Sequence, residues 1–191
     1  MNATPRATVV IPTFNGMEFI EELLDALDEQ VESTPFEVLV IDSGSTDGTL
    51  DVVRSRPGVR LHEIPNEEFG HGRTRNLAAR MATTEFVVFL TQDATPGHYH
   101  WLEEMLRPFD VFGPRMVAVF GKQLPRPDCN PTVKRDLLKY FSSISADHCI
   151  AVQTAGSSLL SKPEHRDALG FFSDVNSAVR RSVLVDEIPY E

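Results

Sequence analysis

A mixed α/β fold, with a mostly parallel sheet flanked by helices, is predicted by three observations. Short runs rich in β-branched residues alternate along the chain with longer stretches in which apolar residues recur at helical spacing. The strand-like runs end, at Pro12, Asp42 and Thr91, by releasing short polar segments that a parallel sheet would bring to one edge. The 191 residues are 41% hydrophobic, enough for one sizeable core and tight for two, so one domain spanning residues 1–191 is expected.

The elements come in a regular order. "ATVVI" (residues 7–11) reads as a first strand closed by Pro12, and Met17, Ile20, Leu23, Leu24 and Leu27 then share one face of a helix. "FEVLVID" is a second strand ending in Asp42; "SGSTDGT" supplies turn residues and a helix cap before Leu50, Val52 and Val53 resume the helical pattern. A third strand over residues 59–62 precedes the polar loop "IPNEEFGHG" and a helix over residues 74–82. "EFVVFL" is the fourth strand, "HYHWLEEMLRPF" a helix, "MVAVFG" a fifth strand, and the Pro-rich "PRPDCNP" leads into the helix "TVKRDLLKYFSS". In "FFSDVNSAVRRSVL" a helix is predicted to begin near Asp174 and Asn176, with Val179, Val183 and Leu184 on its apolar face.

Charge and composition exclude several classes. Eighteen basic against 28 acidic residues give a net charge of -10, which repels a nucleic-acid backbone. The first residues, "MNATPRATVVIPTFN", lack the apolar core of a signal peptide, and no segment approaches the roughly 20 apolar residues of a membrane helix. A soluble, cytoplasmic chain is expected on those grounds. Cys129 and Cys149 form no CxxC pair and are expected as reduced thiols.

Two places carry chemistry. "TQDA" leaves the fourth strand at the expected ligand edge, where the Asp93 carboxylate could hold a hard divalent cation and through it a diphosphate. Taken alone, the motif favours Asp93 as the cap of a helix beginning near Gly97. "FGHGRTRN" sets two glycines, His71, Arg73, Arg75 and Asn76 at a helix start, where backbone donors and guanidinium groups suit phosphate oxygens; a solvated basic turn is the alternative. Arg180 or Arg181 could reach a phosphate or lie on a solvated face, and His98 and His100 read as surface helix residues.

Other nucleotide chemistries fit less well. The GxG after the third strand lacks a third glycine and stands in the wrong place for a dinucleotide fingerprint; no GxxxxGK[ST] phosphate loop occurs, and no HExxH or Cys/His cluster suggests zinc.

Taken together, "VVIPTFNG", "VLVIDSGSTDGT", "FGHGRTRNLA", "FVVFLTQDATP", "FGKQLPRPD" and "FFSDVNSAVRRSV" resemble, in order and spacing, the inverting nucleotide-sugar glycosyltransferases of family 2 with the GT-A fold, a Rossmann-like sheet flanked by helices. Within that family "GHG-TRN", "LTQDA" and "QLPRPD" are similar to strings of the bacterial rhamnosyltransferases, and the resemblance covers nearly the whole chain. It implies that Pro12, Thr13, Phe14 and Asn15 line the nucleotide, with Asp42 and Ser43 near base or ribose, and that Arg73, Arg75, Asn76 and Gln92 belong to the donor site. Asp93 would be the metal ligand, for Mg2+ or Mn2+. The chain departs from the family at Gln92, where many members have a second acid of the metal motif, and at Ser43, where many have a second acid after the second strand.

The reaction so implied is an in-line displacement at the anomeric carbon by an acceptor hydroxyl, with a cation or arginine neutralising the departing diphosphate and a carboxylate taking the proton. The expected donor is dTDP-rhamnose, and the acceptor a growing polysaccharide or a lipid-linked glycan. In the family the base belongs to an acidic "ED" motif a little beyond the segment that here reads "VLVDEIPYE". A truncated chain carrying the donor half of the site is therefore expected, with base and acceptor helices, and any peripheral association with the inner face of the membrane, beyond Glu191. The alternative is a non-catalytic nucleotide-sugar binding module. A nucleotidyltransferase would share layout and cation, but "IPTFNG" does not serve as its Gly-rich loop.

Overall fold

The computed structural model describes residues 4–30, 34–145 and 172–190, so Cys149 and Glu191 lie outside it. The chain falls into two compact units, the larger comprising Met1–Phe120 with Asp174–Glu191 and the smaller Gly121–Ser173.

The larger unit is built on six strands among the described residues: β1 (Ala7–Thr13), β2 (Phe36–Asp42), β3 (Val59–Glu63), β4 (Phe86–Leu90), β5 (Ala118–Phe120) and β6 (Asn176–Arg180). Their order in the sheet is β3-β2-β1-β4-β6-β5. β1 pairs in parallel with β2 and β4, and β2 with β3; β6 is antiparallel to both β4 and β5. The helices α1 (Ile20–Asp28), α2 (Thr49–Ser55), α3 (His71–Met81) and α4 (Trp101–Phe112) cover it.

Alternation along the strands divides the core in two, since successive side chains of a strand point to opposite faces. Val9 and Ile11 of β1 join Phe86, Val88 and Leu90 of β4, Leu23, Leu24 and Leu27 of α1, and Leu106 and Phe109 of α4. Val10 joins Leu39, Ile41, Val87 and Phe89, Ala78 and Ala79 of α3, and Leu184, which stands in a π-helical turn over Val183–Glu187. Thus α1 and α4 lie on one face and α3 on the other. All five residues of β4 are buried, as expected of a central strand covered on both sides.

The order of the strands fixes where a ligand can sit. From β1 the chain moves outward to β2 and β3, then crosses back through α3 to β4 on the other side of β1. This reversal is a topological switch point, and ligands of open α/β sheets bind in the crevice beyond the carboxyl ends of the strands there. The pairing of β1 with β4 ends at Val10 opposite Phe89, whereas its pairing with β2 continues to Thr13 opposite Asp42. The strands therefore part at the carboxyl edge. This also explains why Pro12, expected to close the strand, lies inside it: the ladder to β4 has already ended, so a residue without an N–H is tolerated.

Three boundaries depart from expectation. α3 begins at His71, three residues early, and takes "HGR" from the loop into its first turn. α4 begins at Trp101 and carries Pro108 within it, so His98 and His100 precede the helix, exposed and paired with Glu104 and Glu103. The helix predicted near Asp174 is the strand β6, and Arg180 and Arg181 are corrected with it. Because β6 runs antiparallel, Asn176 stands opposite Leu90 and Arg180 opposite Phe86, which puts both arginines at the far end of the sheet from the crevice. Arg180 donates to Glu85 and to the carbonyls of Met116 and Gly113, and Arg181 to the carbonyl of Ala79.

In the smaller unit α5 runs over Pro131–Ser145. Asn130 accepts the Thr132 N–H at 2.9 Å, the service of an N-cap, and Pro131 occupies the first helical position, where no N–H is needed. Cys129 is a free thiol.

Candidate functional site

Three loops, those after β1, β2 and β4, meet at the carboxyl edge and are tied by hydrogen bonds through side chains, and the loop after β3 joins them. The first leaves the end of β1. The Asn15 N–H donates to Ser45 Oγ at 2.8 Å and Asn15 Oδ1 accepts the Thr46 N–H at 2.9 Å, so one side chain and one backbone zip this loop to the loop after β2. Asn15 adopts the left-handed conformation, with φ of 47°, which asparagine tolerates better than most residues. The Gly16 N–H donates to Thr49 Oγ1 and the Met17 N–H to Asp47. The Thr49 hydroxyl in turn donates to Asp47, and this bond above all holds the Asp47 carboxyl below its ordinary value. Asp47 thus steadies the loops fully above the ordinary carboxylate range, and the contribution fades as pH falls through its lowered value.

Asp42 organises the second loop. It is 0% exposed, and its carboxylate accepts the N–H groups of Gly44 and Ser45 and the Ser45 hydroxyl proton. Ser43 is buried too, donating from both its N–H and its hydroxyl to the Thr13 carbonyl. Asn66, in the 3-10 turn Asn66–Glu68, donates to the Ser43 carbonyl at 3.0 Å and joins the loop after β3 to this assembly.

Gln92 clips the third loop to the first. Its Oε1 accepts the Phe14 N–H at 2.8 Å and its Nε2 donates to the Phe14 carbonyl at 3.1 Å. The Phe14 ring stands out at the rim, 45% exposed, while Thr13 is buried beneath it. Gly16 is required for close approach: a Cβ there would lie 2.8 Å from Gln92 Oε1. Gly16→Ala is expected to displace the Gln92 amide and cost about 1–2 kcal/mol by overpacking, which thermal melting measures. An unchanged melting temperature would show that the clip yields without loss.

Asp93 lies in the turn after β4, exposed to solvent. It does not cap α4, which starts at Trp101 with His100 before it and no side-chain cap. Among the described residues no three His, Cys, Asp or Glu side chains gather in a metal-holding cluster, and Gln92 is committed to Phe14. Asp93 itself offers one carboxylate, which suits a hard cation whose remaining ligands are phosphate oxygens and water.

Around the start of α3 lies a cleft of about 320 Å³ lined by Gly70, His71, Gly72, Arg73, Asn76, Arg80 and Tyr190. Arg73 is exposed there and comes within only 4.0 Å of Glu68. Arg75, grouped with it by sequence, turns inward: it is 3% exposed, pairs with Asp174 at 3.0 Å, donates to the His71 carbonyl, and lies over the rings of Phe89 and Tyr190. It is not presented to a phosphate. Asn76 is also committed, donating to the Tyr190 carbonyl at 2.7 Å and accepting the Tyr190 N–H at 2.8 Å. Burial pushes the Tyr190 phenol up to about 12, so it stays neutral at working pH.

Sequence reasoning placed Pro12–Asn15, Asp42, Ser43, Gln92 and Asp93 at one edge, and the sheet brings them there. It missed Ser45, Asp47, Thr49 and Asn66 as the groups that hold the loops, and Asp174 and Tyr190 as partners of Arg75 and Asn76. "SGSTDGT" did signal a turn, but not which loop its side chains would bind.

A sheet with a switch-point crevice and polar loops gathered beyond the carboxyl ends of its strands defines an open α/β protein of the ligand-binding class. Residues 8–185 match the sequence model of glycosyl transferase family 2, and the chain belongs to that family. It is 35% identical over 127 residues to the O-antigen chain rhamnosyltransferase RfbN of Salmonella typhimurium, and 39% identical over 129 residues to WbaN of Salmonella anatum, each alignment covering 66% of this chain and 40% of the relative. The structure is similar to that of the mannosyltransferase PcManGT from Pyrobaculum calidifontis in complex with GDP-Man and Mn2+, with TM-score 0.63 and 28% identity over 95% of this chain and 46% of that one. Staphylococcus aureus TarS shares the fold, with TM-score 0.65 and 24% identity over 95% of this chain and 48% of that one. The chain spans less than half the length of each. The GT-A fold expected from sequence is the fold found.

Proposed function

We propose that this chain is the donor-binding part of an inverting glycosyltransferase that moves a hexose, L-rhamnose from dTDP-rhamnose, to a glycan or lipid-linked acceptor. The observation that carries the reading is the carboxyl-edge rim, in which the loops after β1, β2 and β4 are tied together and present Phe14, Asn15 and Asp93 beside the crevice in a family 2 chain. Likeness to two rhamnosyltransferases supports the sugar, and a mannosyltransferase neighbour crystallised with Mn2+ supports the cation.

In this proposal a divalent cation, held by Asp93 and the donor's phosphate oxygens, supplies neutralisation of charge at the leaving diphosphate. The chain's own residues bind and orient. Phe14 and Asn15 border the nucleotide, Asp42 and Ser43 keep the rim in shape from below, Gln92 fixes Phe14, and Arg73 offers the exposed cationic group that Arg75 does not. The base and the acceptor contacts are assigned to none of the described residues. No described helix is long and apolar enough to cross a membrane, and the proposed site of action is the cytoplasm at the membrane's inner face.

Thermal denaturation against dTDP, UDP and GDP, each with and without Mn2+, tests the reading, because a native-state ligand at ~100 times its Kd stabilises by about 2.7 kcal/mol. A manganese-dependent rise with dTDP alone is expected. A rise with another nucleotide discards rhamnose but keeps the transferase, and no rise with any rejects the donor site. Binding without sugar transfer by the full-length protein would favour a binding module.

A further inference from the structure

Asn76 belongs to a motif whose polar residues invite assignment to the ligand, yet its side chain faces the protein. Both ends of its amide engage the main chain of one residue, Tyr190, at 2.7 and 2.8 Å, closing a two-point clamp across 114 positions of sequence. With one N–H and one lone pair of the amide spent on Tyr190, the position of the Asn76 side chain is set by the chain itself. Tyr190 is itself part of the cleft wall, together with Gly70, His71, Gly72 and Arg73.

What the clamp holds reaches further than one residue. The Tyr190 ring packs edge-on against Phe89 at 5.8 Å, and the Arg75 guanidinium lies 6.0 Å from the ring centre. Arg75 in turn donates to the His71 carbonyl in the first turn of α3 and pairs with Asp174 just before β6. Its Nε is buried with no hydrogen-bond partner, so the guanidinium depends on those contacts and on the rings to stay in place. The order of contact runs from Asn76 to Tyr190, to Arg75, and to the turn that carries Arg73.

We infer that Asn76 is a positioning residue, which fixes Tyr190 as a wall of the α3 cleft and through it the turn that presents Arg73 to the donor diphosphate. The inference rests on the donor-site proposal for its functional consequence, while the clamp itself stands on geometry alone. Asn76 acts through Tyr190, so the two residues should behave as one unit.

The test is a double-mutant cycle in the full-length protein with Asn76→Ala, Tyr190→Ala and the pair, read as the Kd for dTDP with Mn2+ well below each variant's melting temperature. Asn76→Ala, which removes the clamp, and Tyr190→Ala, which keeps the main-chain hydrogen bonds but removes the ring that they position, are each expected to weaken binding about tenfold, with the double variant no worse than the singles. Tyr190→Phe, which keeps backbone and ring, should bind like the parent protein. Without ligand, hydrogen exchange of the Tyr190 amide should quicken in Asn76→Ala. Additive losses would make Asn76 a ligand residue in its own right and overturn the inference, as would unchanged Tyr190 exchange. A lower melting temperature with unaltered Kd would reduce the clamp to a structural role and overturn it too. If the parent protein binds no nucleotide, the donor-site proposal fails by itself, and the exchange measurement still decides the clamp.

Discussion

Asp93→Ala is expected to abolish manganese-dependent nucleotide binding and to lower sugar transfer by at least about 100-fold, the equivalent of a few kcal/mol of leaving-group stabilisation. The loss of stability should be modest. Asp93 is exposed in a turn beyond β4 and does not cap α4, so its removal should cost about 1 kcal/mol or less. The effect on binding and transfer should be severe because the residue beside Asp93 is an amide and not an acid. Gln92, where many family members carry an acid, is held by the Phe14 backbone through both ends of its amide. Asp93→Asn separates charge from shape, since it keeps the volume and removes the anionic ligand, and it should fail like alanine. Calorimetric titration of dTDP with and without Mn2+, alongside initial transfer rates, checks both variants. Metal-dependent binding that survives in Asp93→Ala would remove the cation from this edge altogether.

The parts of the fold that could be read from sequence are those in which burial and period agree. β2 matches its expected bounds, Phe36–Asp42, and β4 differs by one residue, because β4 is a continuous apolar run, β2 holds one from Val38 to Ile41, and turn residues follow both. β6 could not be read in this way. Its five residues, Asn176–Arg180, include Ser177 and Ala178, and the strand lies between β4 and β5 with both edges paired. A central strand loses the alternation that betrays a half-exposed one, and Val179, Val183 and Leu184 then fit helical spacing by default. Helical spacing does hold beyond Arg180, where the strand ends and the chain turns helical.

For the site, sequence located the residues and could not orient them. Arg73 and Arg75 are two apart on α3, so about 200° separates them around the axis, and one must face the core if the other faces solvent. Which one turns inward depends on Asp174, distant in sequence. The same holds for Asn76, whose partner is Tyr190. A polar residue at a ligand edge can serve the ligand or the loops around it, and only the three-dimensional partners decide.

Asp42 is where that distinction has the largest consequence for stability. If it organises the loop, Asp42→Ala leaves the Ser45 N–H and hydroxyl without their acceptor in a buried place, and the loss should reach about 3–5 kcal/mol, since hydrogen bonds to charged groups are worth about 1.5–3 kcal/mol each and do not sum fully. The damage should spread to binding. Ser45 Oγ both donates to Asp42 and accepts the Asn15 N–H, so freeing it loosens the junction between the first two loops and the Asn15 that the nucleotide would border. Asp42→Asn keeps one amide oxygen as an acceptor and should lose roughly half as much in urea unfolding. If instead Asp42 contacts the base or ribose, as its motif implies, alanine would weaken nucleotide binding with little change in unfolding free energy. The carboxylate's 0% exposure and its three donors within the chain argue for the first outcome, with binding lost because the rim that holds it has come apart.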